Sequence, residues 1–399
     1  MATDQTVRRT YDVVLFGATG FTGSLIAEYI ARTYGSSIRW AIAGRNPSKL
    51  AKVKAAVTAI DSSCSDVGII EADNGDQASL VAMAEQARVV LTTVGPYVDY
   101  GEPLVRACVA GGADYIDITG EPEFVDDMIA KYDDAAREKG LRIVNCCGFD
   151  SIPHDLGALF TAQQLPKDQP MTIRGFVQAK GTFSGGTWQS AVKAMGRMRE
   201  AEKAKRAAKA QAGTKSNGSG RRVRGLKPSV SYNRQLGGWV FPLPTIDPQI
   251  VRRSAKVLDE YGPDFQYGHY GKSASLPKVV MGAVGIAGLV ALAQLKPTRE
   301  WLLTKRQSGA GPSEEQRNNA WFKVTFLGEA GGKRVTTRVS GGDPGYSETS
   351  KMAAESALCL ALDRDKLPEH AGVITPAVAM GDLLTERLIK RGIGFDVVE

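Results

Sequence analysis

Apolar and polar positions in the first part of the chain alternate between two kinds of run. Short β-rich stretches occur at Asp12–Phe16, Arg39–Ala43, Val67–Ala72, Val89–Val94, Tyr115–Ile118 and Leu141–Cys146. Longer amphipathic stretches lie between them, near Thr22–Tyr34, Pro47–Val57, Asp76–Gln86, Gly101–Ala110 and Pro122–Lys139. Several of these open with Thr, Pro or Asp, the residues that start helices. Regular strand–helix alternation predicts parallel βαβ units with right-handed crossovers. Six such strands make a doubly wound α/β sheet of the Rossmann type over residues 1–150.

After Gly148-Phe-Asp-Ser-Ile-Pro153 the regularity breaks. Strand runs such as Thr172–Gln178 and Trp321–Phe326 then mix with Gly- and Pro-rich loops, which predicts a second domain over 151–345. A helical run at Glu348–Leu362 and a tail at Thr375–Lys390 form a C-terminal segment over 346–399.

Two stretches of the second domain stand out. Val279–Leu295 has seventeen residues without a charge, flanked by Lys278, Lys296 and Arg299. As a helix it would be roughly 25 Å long, at or just below what a bilayer crossing needs. Gly282, Gly285 and Gly288 make it a poor free helix, so burial or dimer packing ranks ahead of contact with a membrane surface, and a full span ranks last. A basic linker is expected over about 200–228, where Thr214–Gly220 has the composition of a linker.

Composition narrows the picture. With 399 residues, 43% hydrophobic and 23% charged, the chain is an ordinary globular sequence, too long for one small domain. No apolar targeting run follows Met1, so a cytoplasmic location is expected, with peripheral membrane contact as the alternative. The five cysteines form no CxxC pair and no His lies at ligand spacing, which predicts neither disulfides nor a metal. Adjacent Cys146 and Cys147 read as small buried residues.

The net charge of +7 would suggest nucleic acid if it were spread over the surface. It is not. Twelve Lys or Arg against two Glu between Lys193 and Lys227 give +10, leaving the remainder at −3. Lys203–Lys209 and Arg221-Arg-Val-Arg224 would suit an anionic membrane surface or an acidic carrier protein, or they form a solvated loop; no nucleic acid partner is expected.

The chemistry begins at Gly17-Ala-Thr19-Gly20-Phe21-Thr22-Gly23, placed between a strand and a helix. Gly17 would allow the tight turn, Gly20 the approach of a pyrophosphate, and Gly23 the packing of helix on sheet. The helix N-terminus then meets the phosphates. Where an acidic residue would grip the ribose of NAD, this chain has Gly44-Arg45-Asn46 and then Lys49. A guanidinium pairs bidentately with a 2′-phosphate, so NADP(H) is the expected cofactor. Asp73-Asn74 and Val94-Gly95-Pro96-Tyr97 follow strands three and four, where they could reach the adenine and the nicotinamide.

Several separated blocks resemble the saccharopine dehydrogenase-like oxidoreductases, in particular their trans-acting enoyl reductase branch. They are the glycine turn, Ala43-Gly-Arg45, Thr93-Val-Gly-Pro-Tyr97, Asp114-Tyr-Ile-Asp-Ile-Thr-Gly-Glu121, Gly148-Phe-Asp-Ser-Ile-Pro153, Ser184-Gly-Gly-Thr187, Gly342-Asp-Pro-Gly-Tyr346 and Thr375-Pro-Ala-Val-Ala-Met-Gly381. The resemblance implies an NADP-binding Rossmann domain, an α+β second domain with a mostly antiparallel sheet, and a C-terminal helix returning to the first domain. It also implies reduction of a lipid-like or carrier-bound enoyl substrate. Amino-acid or imine reduction on the same scaffold and a non-catalytic NADP(H)-binding membrane adapter are the alternatives, and assembly as a homodimer is expected.

Enoyl reduction needs a hydride donor, a contact for the enolate oxygen and a proton for the α-carbon. Tyr97 is a candidate acid or carbonyl contact, with a packing tyrosine as the bland reading. Asp150 and His154, one of three histidines, follow the last Rossmann strand and are the other candidate acids. Ser184, Gly185, Gly186 and Thr187 precede an amphipathic run, as a plain helix cap or as a site for substrate carbonyl or phosphate.

Overall fold

A computed structural model describes residues 9–181, 185, 188–198, 221–305 and 311–399. The chain starts with β1 (Tyr11–Phe16), α1 (Phe21–Tyr34), β2 (Trp40–Gly44), α2 (Pro47–Ile60) and β3 (Gly68–Glu71). It continues through α3 (Gln77–Ala84), β4 (Ala87–Thr92), α4 (Tyr97–Gly111), β5 (Asp114–Asp117), α5 (Pro122–Glu138) and β6 (Arg142–Val144). Next come α6 (Ile152–Ala162), β7 (Met171–Lys180), α7 over 188–198, β8 (Arg222–Gly225), β9 (Ser231–Asn233), β10 (Gly238–Pro242), α8 (Asp247–Val257) and β11 (Asp264–Ser273). The remainder is α9 (Leu276–Gln294), α10 (Lys296–Thr304), α11 (Glu314–Asn318), β12 (Trp321–Ala330), β13 (Lys333–Gly341), α12 (Ser347–Leu362), β14 (Gly372–Ile374), α13 (Pro376–Lys390) and β15 (Gly394–Val397).

The first sheet is parallel and runs β14-β6-β5-β4-β1-β2-β3. The strand order reverses at β1, flanked by β2 and β4, so the loops after β1 and β4 diverge and leave the crevice where such folds bind nucleotides. Seven strands replace the expected six. The extra one, β14, comes from the C-terminal segment and pairs with β6; three residues are too few to show a period in the sequence.

Helix α4 also departs from expectation, starting at Tyr97 rather than near Gly101. The reason is a cap from far along the chain: the Glu121 carboxylate accepts hydrogen bonds from Tyr97 N (3.2 Å) and Val98 N (2.8 Å). These are amides that a helix start otherwise leaves unpaired.

The second sheet has eight strands, ordered β15-β13-β12-β7-β11-β10-β9 with β8 also beside β11. Its pairings are antiparallel except β7–β11 and β8–β11. One apolar core continues between the two sheets, from Leu15 and Ile26 through Leu156 of α6 and Leu358 of α12 to Phe326. The units therefore share their interior.

The C-terminal segment is divided between them. Buried α12 packs on α1, β14 widens the first sheet, and β15 extends the second. Glu355 ties this arrangement together. It accepts from Tyr29 (2.6 Å) and Tyr34 (2.8 Å) of α1 and pairs with Arg387 (3.0 Å) and Arg391 (3.2 Å) from the end of the chain.

The basic stretch read as a linker over 200–228 is corrected at its end. Residues Arg222–Gly225 form β8, because their backbone completes a parallel ladder with β11. Arg221 donates to the Ala255 and Leu258 carbonyls and pairs with Asp259, while Arg224 pairs with Asp264. These arginines staple β8 in place. Lys203–Lys209 and Thr214–Gly220 lie outside the described residues.

Candidate functional site

The glycine turn leaves β1 at Phe16 and enters α1 at Phe21. Gly17 has φ +89°, which favours glycine, and a Cβ there would stand 2.7 Å from Val94. At Gly23 a Cβ would meet the Gly17 carbonyl oxygen at 2.2 Å, so the helix closes on the turn only because Gly23 has no side chain. Gly20 and Thr19 are exposed, and the N-terminus of α1 has no side-chain cap. Its free amides and positive dipole end form a cradle for phosphate.

The other predicted cofactor residues lie at the same edge of the sheet. Arg45 and Lys49 stand exposed beyond β2, where the Asn46 side chain caps α2 by accepting from Lys49 N at 2.9 Å. Among the described residues no carboxylate pairs with Arg45. Beyond β3, Asp73 is engaged in its own turn, accepting from Gly75 N at 2.8 Å. The Asn74 Oδ1 atom is buried and has no partner. A buried acceptor left unmade is costly, and a donor on a bound adenine would satisfy it. Half-buried Val94, exposed Gly95 and buried Pro96 follow β4. The residues present thus fit an adenine dinucleotide carrying a 2′-phosphate.

Tyr97 is not where a catalytic phenol was expected. It is buried, donates to the Thr92 carbonyl at 3.1 Å and receives the Ile118 amide at 3.4 Å. Burial, and then the Asp117 carboxylate, push its phenol well above the ordinary range. Its ring packs on Phe124, so the tyrosine fills the Rossmann interior.

Asp150 is exposed at the carboxyl end of the sheet, just before α6. Its Oδ2 would lie 2.8 Å from a Cβ at Gly120, so the absent side chain lets the carboxyl rest on the loop after β5. Although the residue is exposed, loss of water around its carboxyl, and then the negative Asp247, push its pKa up to about 6, with His154 opposing. Such a group carries a proton much further towards neutrality than a free aspartate.

His154 is buried behind it, with Nδ1 2.8 Å from Asp247 Oδ1. Asp247 Oδ2 lies 3.4 Å from His269 Nε2, and His269 Nδ1 is 3.3 Å from the Tyr267 hydroxyl. Burial opposes charge on Asp247, but the two imidazoles outweigh it and hold its carboxyl below the usual range. Burial also pushes His269 down to about 4, keeping it neutral. These three residues offer ligand-capable atoms within 4.8 Å of one another, a juxtaposition that no sequence spacing announced. Asp247 and His269 were therefore missed from the sequence; their only signal was scarcity, since the chain has three histidines.

Glu121 was also missed as a site residue. Besides capping α4, it accepts from Ser190 of α7 at 2.6 Å. Lys193 pairs with Asp99, and Arg197 lies 3.9 Å from Glu123, so α7 crosses the first turns of α4 and α5. Of the predicted substrate residues, Gly185 is described and buried, while Ser184, Gly186 and Thr187 lie outside the described residues. All five cysteines are buried and free, and burial pushes the Cys146 and Cys147 thiols well above the usual range. They are inert packing groups.

A reversed parallel sheet, an uncapped glycine turn at its centre and an arginine beyond β2 define the class: an NADP-binding oxidoreductase on a Rossmann scaffold. A profile described as the saccharopine dehydrogenase NADP binding domain matches residues 13–144. A relative in Mycobacterium ulcerans named trans-acting enoyl reductase is 34% identical over 97% of each chain. One in Mycobacterium tuberculosis, provisionally given the same name, is 39% identical over 96% of this chain and 97% of its own. The human saccharopine dehydrogenase-like oxidoreductase is 34% identical over 100% of this chain and 99% of its own. The chain belongs to this saccharopine dehydrogenase-like oxidoreductase family. Among solved structures, yeast saccharopine dehydrogenase (L-Glu forming) shares the fold at 12% identity, TM-score 0.54, covering 97% of this chain and 99% of that one.

Proposed function

We propose that this protein reduces the α,β double bond of a lipid-like or carrier-bound enoyl thioester at the expense of NADPH. The observation that carries the reading is the position of Asp150, an exposed carboxyl at the carboxyl edge of the dinucleotide-binding sheet that rests on the loop after β5; its raised pKa is in keeping with an acid. The relatives named trans-acting enoyl reductase, matched along their whole length, support the substrate class.

NADPH, when bound, would supply the hydride for the β-carbon. Asp150 in its protonated form delivers the proton to the α-carbon, so that the two additions complete the C–C single bond. His154 opposes the rise in the Asp150 pKa and so favours the carboxylate that remains after the proton has left. Being buried, His154 acts through Asp150 and not on substrate. Arg45 and Lys49 hold the 2′-phosphate, and the amides at the start of α1 hold the pyrophosphate.

Reduction of an imine from a dicarboxylic amino acid would call for free cations near the same edge. The described cations of α7 are already engaged, Lys193 with Asp99 and Arg197 near Asp99 and Glu123. This favours the enoyl substrate.

The test follows NADPH oxidation with enoyl thioesters of increasing chain length in parallel with 2-oxo acid and amino acid pairs. Turnover restricted to the thioesters supports the proposal. Turnover restricted to the amino acid panel overturns it, and tight NADPH binding without turnover on any panel shows a non-catalytic adapter.

A further inference from the structure

Helix α9 leaves uncovered an apolar surface that the reductase site does not explain. Every residue from Val280 to Gly288 is exposed, including Val280 at 54%, Met281 at 70% and Val284 at 67%. At about 3.6 residues per turn, such a stretch presents its entire circumference. It contains no charged or polar side chain, and a Cβ at Gly282, Gly285 or Gly288 would meet nothing within 4 Å. A helix apolar all round needs an apolar medium all round.

Both ends of α9 are held on the body of the protein. Its N-terminal end packs on β10 and β11 and buries Val279. Its C-terminal half packs through Leu289 and Ala293 against Trp188, Val192 and Met195 of α7 and Leu302 of α10. Trp188 Nε1 donates to the Leu302 carbonyl at 2.8 Å, fixing that corner. With both ends tied to the same side, the helix cannot cross a bilayer. A second copy docking from one direction would cover one face and leave the opposite face in water.

We propose that α9 is an in-plane membrane anchor whose middle turns enter one leaflet of an anionic bilayer. Exposed Lys278 and Lys296 bracket the helix, and exposed Lys305, just past α10, lies 4.3 Å over the ring of exposed Trp301. Cations and an indole at the borders of an apolar helix match the headgroup layer, where anionic lipid attracts lysine and tryptophan settles. The inference is independent of the reaction, since it concerns binding alone.

The experiment is flotation of the full-length protein with vesicles of phosphatidylcholine, with or without phosphatidylserine, using wild type and the double variant Met281→Glu, Val284→Glu. Affinity for NADPH, measured in the same preparations, reports that the variant is folded. We expect wild type to float with the phosphatidylserine vesicles and the variant to lose at least about tenfold of that partitioning, with NADPH affinity unchanged. Wild type remaining in the dense fraction, or a folded variant floating equally well, would overturn the anchor. So would a sedimentation shift showing a dimer that the same double variant dissociates, because a second copy would then occupy the surface.

Discussion

Gly23 lies so close to Gly17 that a Cβ on the first would stand 2.2 Å from the carbonyl oxygen of the second. By contrast, the nearest atom to a Cβ at Gly20 is the same oxygen at 3.4 Å, an ordinary contact. The turn's glycines thus do different things. Gly23→Ala should cost about 1–3 kcal/mol of stability through overpacking and lower the thermal midpoint. Gly20→Ala should leave the midpoint unchanged while weakening NADPH binding, because its methyl group would project where the phosphates lie. A thermal melt and an NADPH titration of each variant check the contrast.

Arg45 is exposed beyond β2 and has no carboxylate partner among the described residues. Charge-assisted hydrogen bonds to a phosphate are worth about 1.5–3 kcal/mol, roughly tenfold to a hundredfold in affinity. Arg45→Ala should raise the NADPH dissociation constant by that factor and leave NADH binding unchanged. Equal losses for the two nucleotides would remove the 2′-phosphate assignment.

Asp150 sets the pH dependence expected of turnover. A carboxyl raised to about 6 is mostly protonated below that pH and mostly ionised above it. As an acid it therefore loses effectiveness as pH rises, and kcat/KM should fall by about tenfold per unit above pH 6. Asp150→Asn should flatten this limb and lower the rate at acidic pH. An unaltered profile in the variant would assign the proton to another group.

Tyr97 should prove structural. Its hydroxyl is committed to the Thr92 carbonyl and the Ile118 amide inside the Rossmann unit. Tyr97→Phe should lose about 1 kcal/mol of stability and retain turnover. A hundredfold drop in kcat at unchanged stability would restore it as a catalytic candidate.

Glu355 should be among the costliest residues to remove. It is buried between two tyrosines of α1 and two arginines from the end of the chain. Glu355→Ala would leave Arg387 with only Asp363, 2.8 Å away, and would remove the acceptor of the Tyr29 and Tyr34 hydroxyls, at about 1–3 kcal/mol. Chemical denaturation should show the loss, and release of the C-terminal segment should appear as faster hydrogen exchange in α13.

The Rossmann unit was legible because its signals are local. A strand, a glycine turn and a helix lie within a few residues at Phe16–Phe21, and the arginine after β2 is the next residue to read. Buried strands and amphipathic helices differ in period, so their alternation can be counted along the chain. Tyr97 was misplaced because the group that starts its helix, Glu121, lies in a different loop. Likewise, β14 and β8 are too short to register as pattern and exist because β6 and β11 offer open edges.

The sequence by itself determined the cofactor turn and, through family resemblance, the chemistry to look for. Tertiary structure decided what surrounds the candidate acid. His154, Asp247 and His269 come from α6, the start of α8 and β11, and only folding brings them within reach of one another. The same holds for residues 279–295, whose composition fits a core helix or a membrane helix equally well. Exposure shows that this chain does not cover the helix itself, and exposure belongs to the packed molecule because it depends on which other segments arrive to cover the helix.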